Sequence, residues 1–173
     1  MRPHLFVAVV PPPAIREQLD EAMRPLRAEY PDLAWEAPSR WHVTLCFLGP
    51  VDPTPALLDE VAAVAHSTAP LPVQLSGGGA FSDHVLWAGV DAELAPVAGE
   101  LARAAGRADF PLEEREFHPH LTLARRRRRG VRLQPAAARL SALTAGPWTA
   151  DEFVGLRSGR PDYERVASWP LTG

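Results

Sequence analysis

Two histidines stand in matching settings, His42 in the run Trp41-His42-Val43-Thr44-Leu45-Cys46-Phe47-Leu48 and His120 in His118-Pro119-His120-Leu121-Thr122-Leu123-Ala124-Arg125. Each precedes a threonine by two residues inside an apolar, β-prone stretch. Side chains on a strand alternate faces, so His42 and Thr44 share one face against Val43, Leu45 and Phe47, as His120 and Thr122 do against Leu121 and Leu123. One such His-x-Thr is a weak signal, because a hydrogen-bonded, partly buried histidine is the commoner outcome. The same polar exception repeated on two strands is hard to attribute to packing. If the two strands face each other, two imidazoles and two hydroxyls line one cleft, a site for acid-base chemistry on an anion.

The elements that must position these strands follow from punctuation and periodicity. Leu5 to Val10 reads as a strand stopped by Pro11-Pro12-Pro13, and Ala14 to Ala28 as an amphipathic helix with Ile15, Leu19, Met23 and Leu26 on one stripe. Pro31 to Arg40 reads as irregular, Trp41 to Leu48 as the first motif strand, and Pro55 to Thr68 as a helix capped by Thr54. Pro72 to Leu75 is a short strand before Gly77-Gly78-Gly79, which reads as a flexible turn. Val85 to Val90 is another strand, with Asp91 poised to start a helix over Glu93 to Arg107. A weak helical pattern covers Ala136 to Leu143. Trp148 to Arg157 and Tyr163 to Trp169 read as a final hairpin. This order predicts a single α+β domain over 1–173, built as two pseudo-symmetric lobes with antiparallel-type sheets, flanking helices and a cleft between them.

Composition narrows the chemistry. The 173 residues suffice for one core, and a formal charge of −3 argues against a general nucleic-acid coat protein. Every cation is arginine, so there is no P-loop lysine, no Schiff base and no lysine to carry a nucleotidyl group. One cysteine, Cys46, permits no intramolecular disulfide and suits the cytoplasm. No run approaches membrane-spanning length. The expectation is a cytoplasmic, soluble monomer without cofactor.

The motif runs, the opening Leu5-Phe6-Val7-Ala8, the trailing Phe47-Leu48-Gly49, the leading Phe117-His118-Pro119 and the ending Tyr163 to Leu171 together resemble the 2H phosphoesterases. The nearest branch is the RNA 2′,3′-cyclic phosphodiesterases, also called 2′-5′ RNA ligases. The resemblance implies that His42 and His120 are the acid-base pair, with His120 activating water and His42 protonating the leaving oxygen. It implies hydrolysis of 2′,3′-cyclic phosphate at RNA ends or on nucleotides to 2′-phosphates, reversible as an ATP-independent ligation. Thr44, Thr122 and Arg125 would hold phosphate, and no metal is required. By strict alternation Arg125 lies on the wrong face, and it reaches the cleft only if the strand bulges or ends near Ala124.

Other readings stay open. Trp41, Phe47 and His118 are possible substrate contacts, Trp41 and Phe47 as stacking faces for a base or as core. His42, His118 and His120 can be read as a zinc site. Cys46, on the face of His42 by alternation, can be read as a nucleophile or as a buried thiol. The run Arg126 to Arg129 is a solvated loop or a steering patch for an RNA end. A non-catalytic binder of nucleotides or RNA ends remains the rival of an enzyme.

Overall fold

The computed structural model describes residues 2–173, which form nine strands and four α-helices. β1 (Leu5–Val9) is a fully buried run, and the prolines after it lead into α1 (Pro13–Glu29), where an imino residue in the first turn leaves no hydrogen bond unmade. α1 buries the expected stripe of Ile15, Leu19, Met23 and Leu26. β2 (Leu33–Trp35) and a turn of 3-10 helix (Pro38–Arg40) occupy the stretch that reads as irregular. Three residues are too few for a periodic signal, and β2 exists because β6 offers it a free edge.

β3 (Val43–Gly49) carries the first motif, and α2 (Pro55–His66) follows with Thr54 Oγ1 accepting the Leu57 N–H at 3.2 Å. β4 (Leu71–Phe81) and β5 (Val85–Asp91) form a hairpin, then come α3 (Ala95–Arg107) and β6 (His120–Arg126) with the second motif. Asp91 ends β5 and does not cap α3, whose first turn is preceded by Leu94 without a side-chain cap. α4 (Gln134–Ala138) is shorter and earlier than the sequence pattern suggests. The stretch from Trp148 to Arg157 is two strands, β7 (Thr144–Ala150) and β8 (Glu152–Arg157), and β9 (Glu164–Pro170) completes the hairpin with β8.

All pairings are antiparallel, in the order β7-β4-β5-β6-β3-β1-β8-β9, with β2 added on β6. The two expected lobes are the halves of this one sheet. β7 ends one half and β8 lies deep in the other, yet only Asp151 separates them in sequence. Two peptide links reach at most about 7.6 Å, so the sheet must curl to bring those strands together. α2 packs against α3 and β9, α3 against β3, and α4 against β4, closing one core around both halves. No described helix is long and apolar enough to cross a membrane.

The glycine triplet is not a turn but the middle of β4. Gly77, at φ +65°, sits in a bulge where β4 runs one residue ahead of β5 between Leu75 and Gly78. Opposite that bulge a Cβ on Gly89 would lie 2.3 Å from the Ser76 carbonyl oxygen, and one on Gly78 would lie 2.4 Å from the Trp87 carbonyl. These close backbone approaches let β4 continue to Phe81, which the site uses. Gly89→Ala therefore forces backbone apart, and equilibrium urea unfolding should show a loss of about 1–3 kcal/mol.

Candidate functional site

Strands β3 and β6 are neighbours in the sheet, not opposed across a gap, and the bridge between them is the single pair Val43↔Leu121. Both of these residues are buried on the core face. Extending that antiparallel register by one residue either way sets His42 opposite Thr122 and Thr44 opposite His120. All four face one cleft of about 270 Å³, together with Arg125, Phe47 and side chains contributed by β1, Glu36, the 3-10 turn and the loop after β8.

Strict alternation fails at the same place in both motifs. β1 pairs Val7 with Cys46 but Ala8 with Thr44, so Leu45 is an extra residue in β3. β5 pairs Leu86 with Ala124 but Trp87 with Thr122, so Leu123 is the extra residue in β6. Each bulge puts two successive residues on the core face, Leu45 with Cys46 and Leu123 with Ala124, and returns the next to the cleft. Arg125 thereby gains the cleft, meeting the condition that its parity imposed. Phe47 gains it too, at 55% exposure, against the expectation that it shares the face of Val43. Cys46 moves the other way: it is buried with the core, and desolvation pushes its thiol up to about 11, so it is no nucleophile. Trp41 keeps its parity opposite to His42 and is 2% exposed, which makes it core and not a substrate contact.

The two imidazoles are held alike. His42 Nδ1 lies 2.8 Å from the carbonyl oxygen of Arg40, and His120 Nδ1 lies 2.8 Å from that of His118. A carbonyl only accepts, so each Nδ1 carries hydrogen and each Nε2 is the atom left for chemistry. Aromatic rings fix the orientation: Phe6 and Tyr163 lie 4.9 and 5.0 Å from the His42 ring, and Phe81 lies 4.8 Å from that of His120. His118 does not join the other two histidines. Its ring packs on Phe81 and Trp87, and among the described residues no three His, Cys, Asp or Glu side chains are placed to hold a metal ion.

Several site residues carry no motif. Glu36, just beyond β2, accepts from Arg40 Nε at 2.8 Å and lies 3.5 Å from Arg125 Nε. Arg40 also donates to the carbonyls of Gly159 and Pro161 and lies 4.1 Å over the Tyr163 ring, and Ser39 bonds Asp162. The loop after β8 is thus fastened beside His42. Only pairing across elements far apart in sequence brings these residues together, so no local pattern could have singled them out. Arg126 bonds His84 Nδ1 at 3.0 Å, outside the cleft.

Burial depresses both imidazoles below the ordinary histidine range. For His42 desolvation is opposed by the Arg40 carbonyl and the Glu36 carboxylate, and the charges of His120 and Arg40 act with burial. For His120 desolvation is opposed by the His118 carbonyl, and the charges of His118 and Arg125 act with burial.

The family model described as the 2′-5′ RNA ligase superfamily matches residues 10–162. A curated relative, the RNA 2′,3′-cyclic phosphodiesterase of Geobacillus stearothermophilus, is 30% identical over 99% of this chain, which spans 58% of that relative's length. Among solved structures, one from Thermus thermophilus superposes with a TM-score of 0.76 at 26% identity, covering 98% of both chains. Escherichia coli LigT complexed with 3′-AMP superposes with a TM-score of 0.73 at 25% identity over all of both chains.

Because the folded protein keeps both imidazoles neutral to lower pH than the unfolded chain does, the unfolded state binds more protons below about pH 6.5. Stability should be flat above that value and fall as pH drops through the depressed folded values. Urea unfolding between pH 7.5 and 5 should show this decline, and the doubly substituted His42→Gln, His120→Gln protein should show a shallower one.

Proposed function

Because the chain belongs to the 2′-5′ RNA ligase superfamily, we propose that it is a hydrolase, an RNA 2′,3′-cyclic phosphodiesterase, whose acid-base pair is His42 and His120. The observation that carries this reading is the crossed arrangement: each imidazole sends Nε2 into one cleft opposite the other motif's threonine. The name of the Geobacillus relative and the nucleotide bound to LigT support a ribose-phosphate ligand.

Opening the ring requires water to attack phosphorus in line with the departing ribose oxygen. A base must stand on one side of the phosphorus and an acid on the other. His120 Nε2 takes the proton of the attacking water as the new P–O bond forms. The P–O3′ bond breaks, His42 gives its proton to O3′, and a 2′-phosphate remains. With the 5′-hydroxyl of a second strand in place of water, the same displacement forms P–O5′ as P–O3′ breaks, and the ends are joined in a 2′-5′ linkage without a nucleoside triphosphate. The non-bridging oxygens gain charge in the transition state, and Thr44, Thr122 and Arg125, which line the same cleft, supply donors for them. Acid, base and charge stabilisation are thus all side chains of this chain.

Phe47 stands at the cleft beside His4 and Phe6, with ring centroids 5.3 and 6.4 Å away, and offers a face on which a base can stack. The cleft is complete within one chain and the single thiol is buried, which supports a monomer in the cytoplasm.

Turnover of a 2′,3′-cyclic nucleotide and of a short RNA with that end should persist in excess chelator. His42→Ala and His120→Ala should each lower kcat roughly 10²–10⁴-fold. Retained binding with no turnover by the wild type would favour the binder, and loss of turnover on chelation would favour a zinc hydrolase. Phe47→Ala should raise KM roughly tenfold and leave kcat close to wild type. The productive state has one imidazole protonated, so kcat/KM should peak below about pH 6.5 and fall through neutrality. The limb in kcat should lie at higher pH, because a bound phosphate favours the imidazolium.

A further inference from the structure

Beyond Arg125 the chain carries Arg126, Arg127, Arg128 and Arg129 in succession and then Arg132, and from Phe117 to Ala150 it has no Asp or Glu. Elsewhere arginines are matched to carboxylates, as Arg24 is to Glu21, Arg103 to Glu100, Arg107 to Glu60 and Arg139 to Glu29. Among the described residues none of the five arginines after Arg125 makes an ion pair, although Asp32 and Asp83 stand in the flanking segments, next to Leu33 and His84. Arg126 fixes the end of β6: its N–H donates to the His84 carbonyl at 3.0 Å and its guanidinium to His84 Nδ1. Gly130, at φ +90°, turns the chain, and Leu133, 0% exposed, ties it back to the core. Between these two anchors Arg127, Arg128, Arg129 and Arg132 are exposed. Adjacent guanidiniums repel one another and no carboxylate relieves the repulsion, so a polyanion seated there removes a cost that the folded chain otherwise carries.

The run starts in the cleft, because Arg125 lines it. At no more than about 3.6 Å per residue, the backbone of Arg129 lies within about 14 Å of that of Arg125, close enough to meet the first phosphates of a strand whose end occupies the cleft. We propose that Arg127, Arg128, Arg129 and Arg132 form a track for the sugar-phosphate backbone of single-stranded RNA leaving the cleft past Arg125, which makes an oligoribonucleotide, not a mononucleotide, the preferred substrate. Contacts to phosphate carry no base information, so the track accepts any sequence. An anionic bilayer also attracts basic patches, but it is held in addition by apolar side chains, and the one exposed large hydrophobic among the described residues is Phe47, in the cleft. This rests on the phosphodiesterase reading of the cleft and deepens it by assigning what holds the rest of the RNA.

The test compares kcat/KM for a 2′,3′-cyclic mononucleotide and for a hexaribonucleotide with the same end, over a range of salt. The proteins are wild type and two variants in which Arg127, Arg128, Arg129 and Arg132 are all replaced, by glutamine or by lysine. At about 50 mM salt the wild type should favour the hexanucleotide roughly tenfold, and the preference should fall as salt rises. The glutamine variant should lose most of that preference and turn over the mononucleotide as the wild type does. Its salt slope should be shallower by roughly 1.4, the share of two phosphates at about 0.7 each. The lysine variant keeps the charge and should keep most of the preference. No preference in the wild type, or a preference that survives in the glutamine variant, overturns the proposal. So does an equal loss on replacing Arg24 and Arg103, outside the cleft, by glutamine, which would reduce the effect to net charge. Unchanged hexanucleotide kinetics, with binding to phosphatidylserine vesicles lost only in the glutamine variant, overturns it in favour of a membrane surface. If the wild type turns over neither substrate, the phosphodiesterase reading fails by itself. Fluorescence anisotropy of a labelled hexanucleotide then decides the track: weaker binding by the glutamine variant supports it, and equal binding overturns it.

Discussion

One backbone pairing governs the site. Val43 and Leu121 join the halves of the sheet, and antiparallel geometry around that point crosses the motifs so that each histidine meets the other's threonine. A slip of one residue between β3 and β6 would turn the imidazoles into the core and the aliphatic residues into the cleft, so burial of Val43 and Leu121 protects the register. The curl of the sheet, the helices packed behind it and the long β4 all serve to hold that junction in place.

The paired bulges are the second device. Because Leu45 and Leu123 are extra residues in their strands, the third cleft position of each motif falls five residues after its histidine. In one motif that position is Phe47 and in the other Arg125. Matching positions of the two motifs thus present an unlike pair, an exposed aromatic ring in one and a guanidinium in the other.

Electrostatics follows from the same placement. Half-buried imidazoles bonded through Nδ1 to carbonyls have their tautomer settled before any ligand arrives, and desolvation makes the neutral form the resting one. Glu36, Arg40 and Arg125 form a small network in which one carboxylate serves two guanidiniums, and it spans the line where the halves meet.

Legible in the amino-acid order alone were the apolar cores of β1 and both motif strands, the stripe of α1, the Thr54 cap and the pair of histidines with their threonines. Each of these is a local pattern, set by alternation, helical period or cap chemistry within a few residues. The condition on Arg125 was legible too, although not whether it was met. Register and partnership came from the assembled fold. The bulges at Leu45 and Leu123 place Phe47 and Arg125 in the cleft and Cys46 in the core, and they exist through pairing with β1 and β5. The glycine triplet became strand because the Trp87 and Ser76 backbones approach too closely for side chains on Gly78 and Gly89. Glu36, Tyr163 and Phe81 entered the site through contacts between residues remote in sequence. Such contacts leave no periodic trace, since the free energy that selects them belongs to the whole sheet and not to any segment of it.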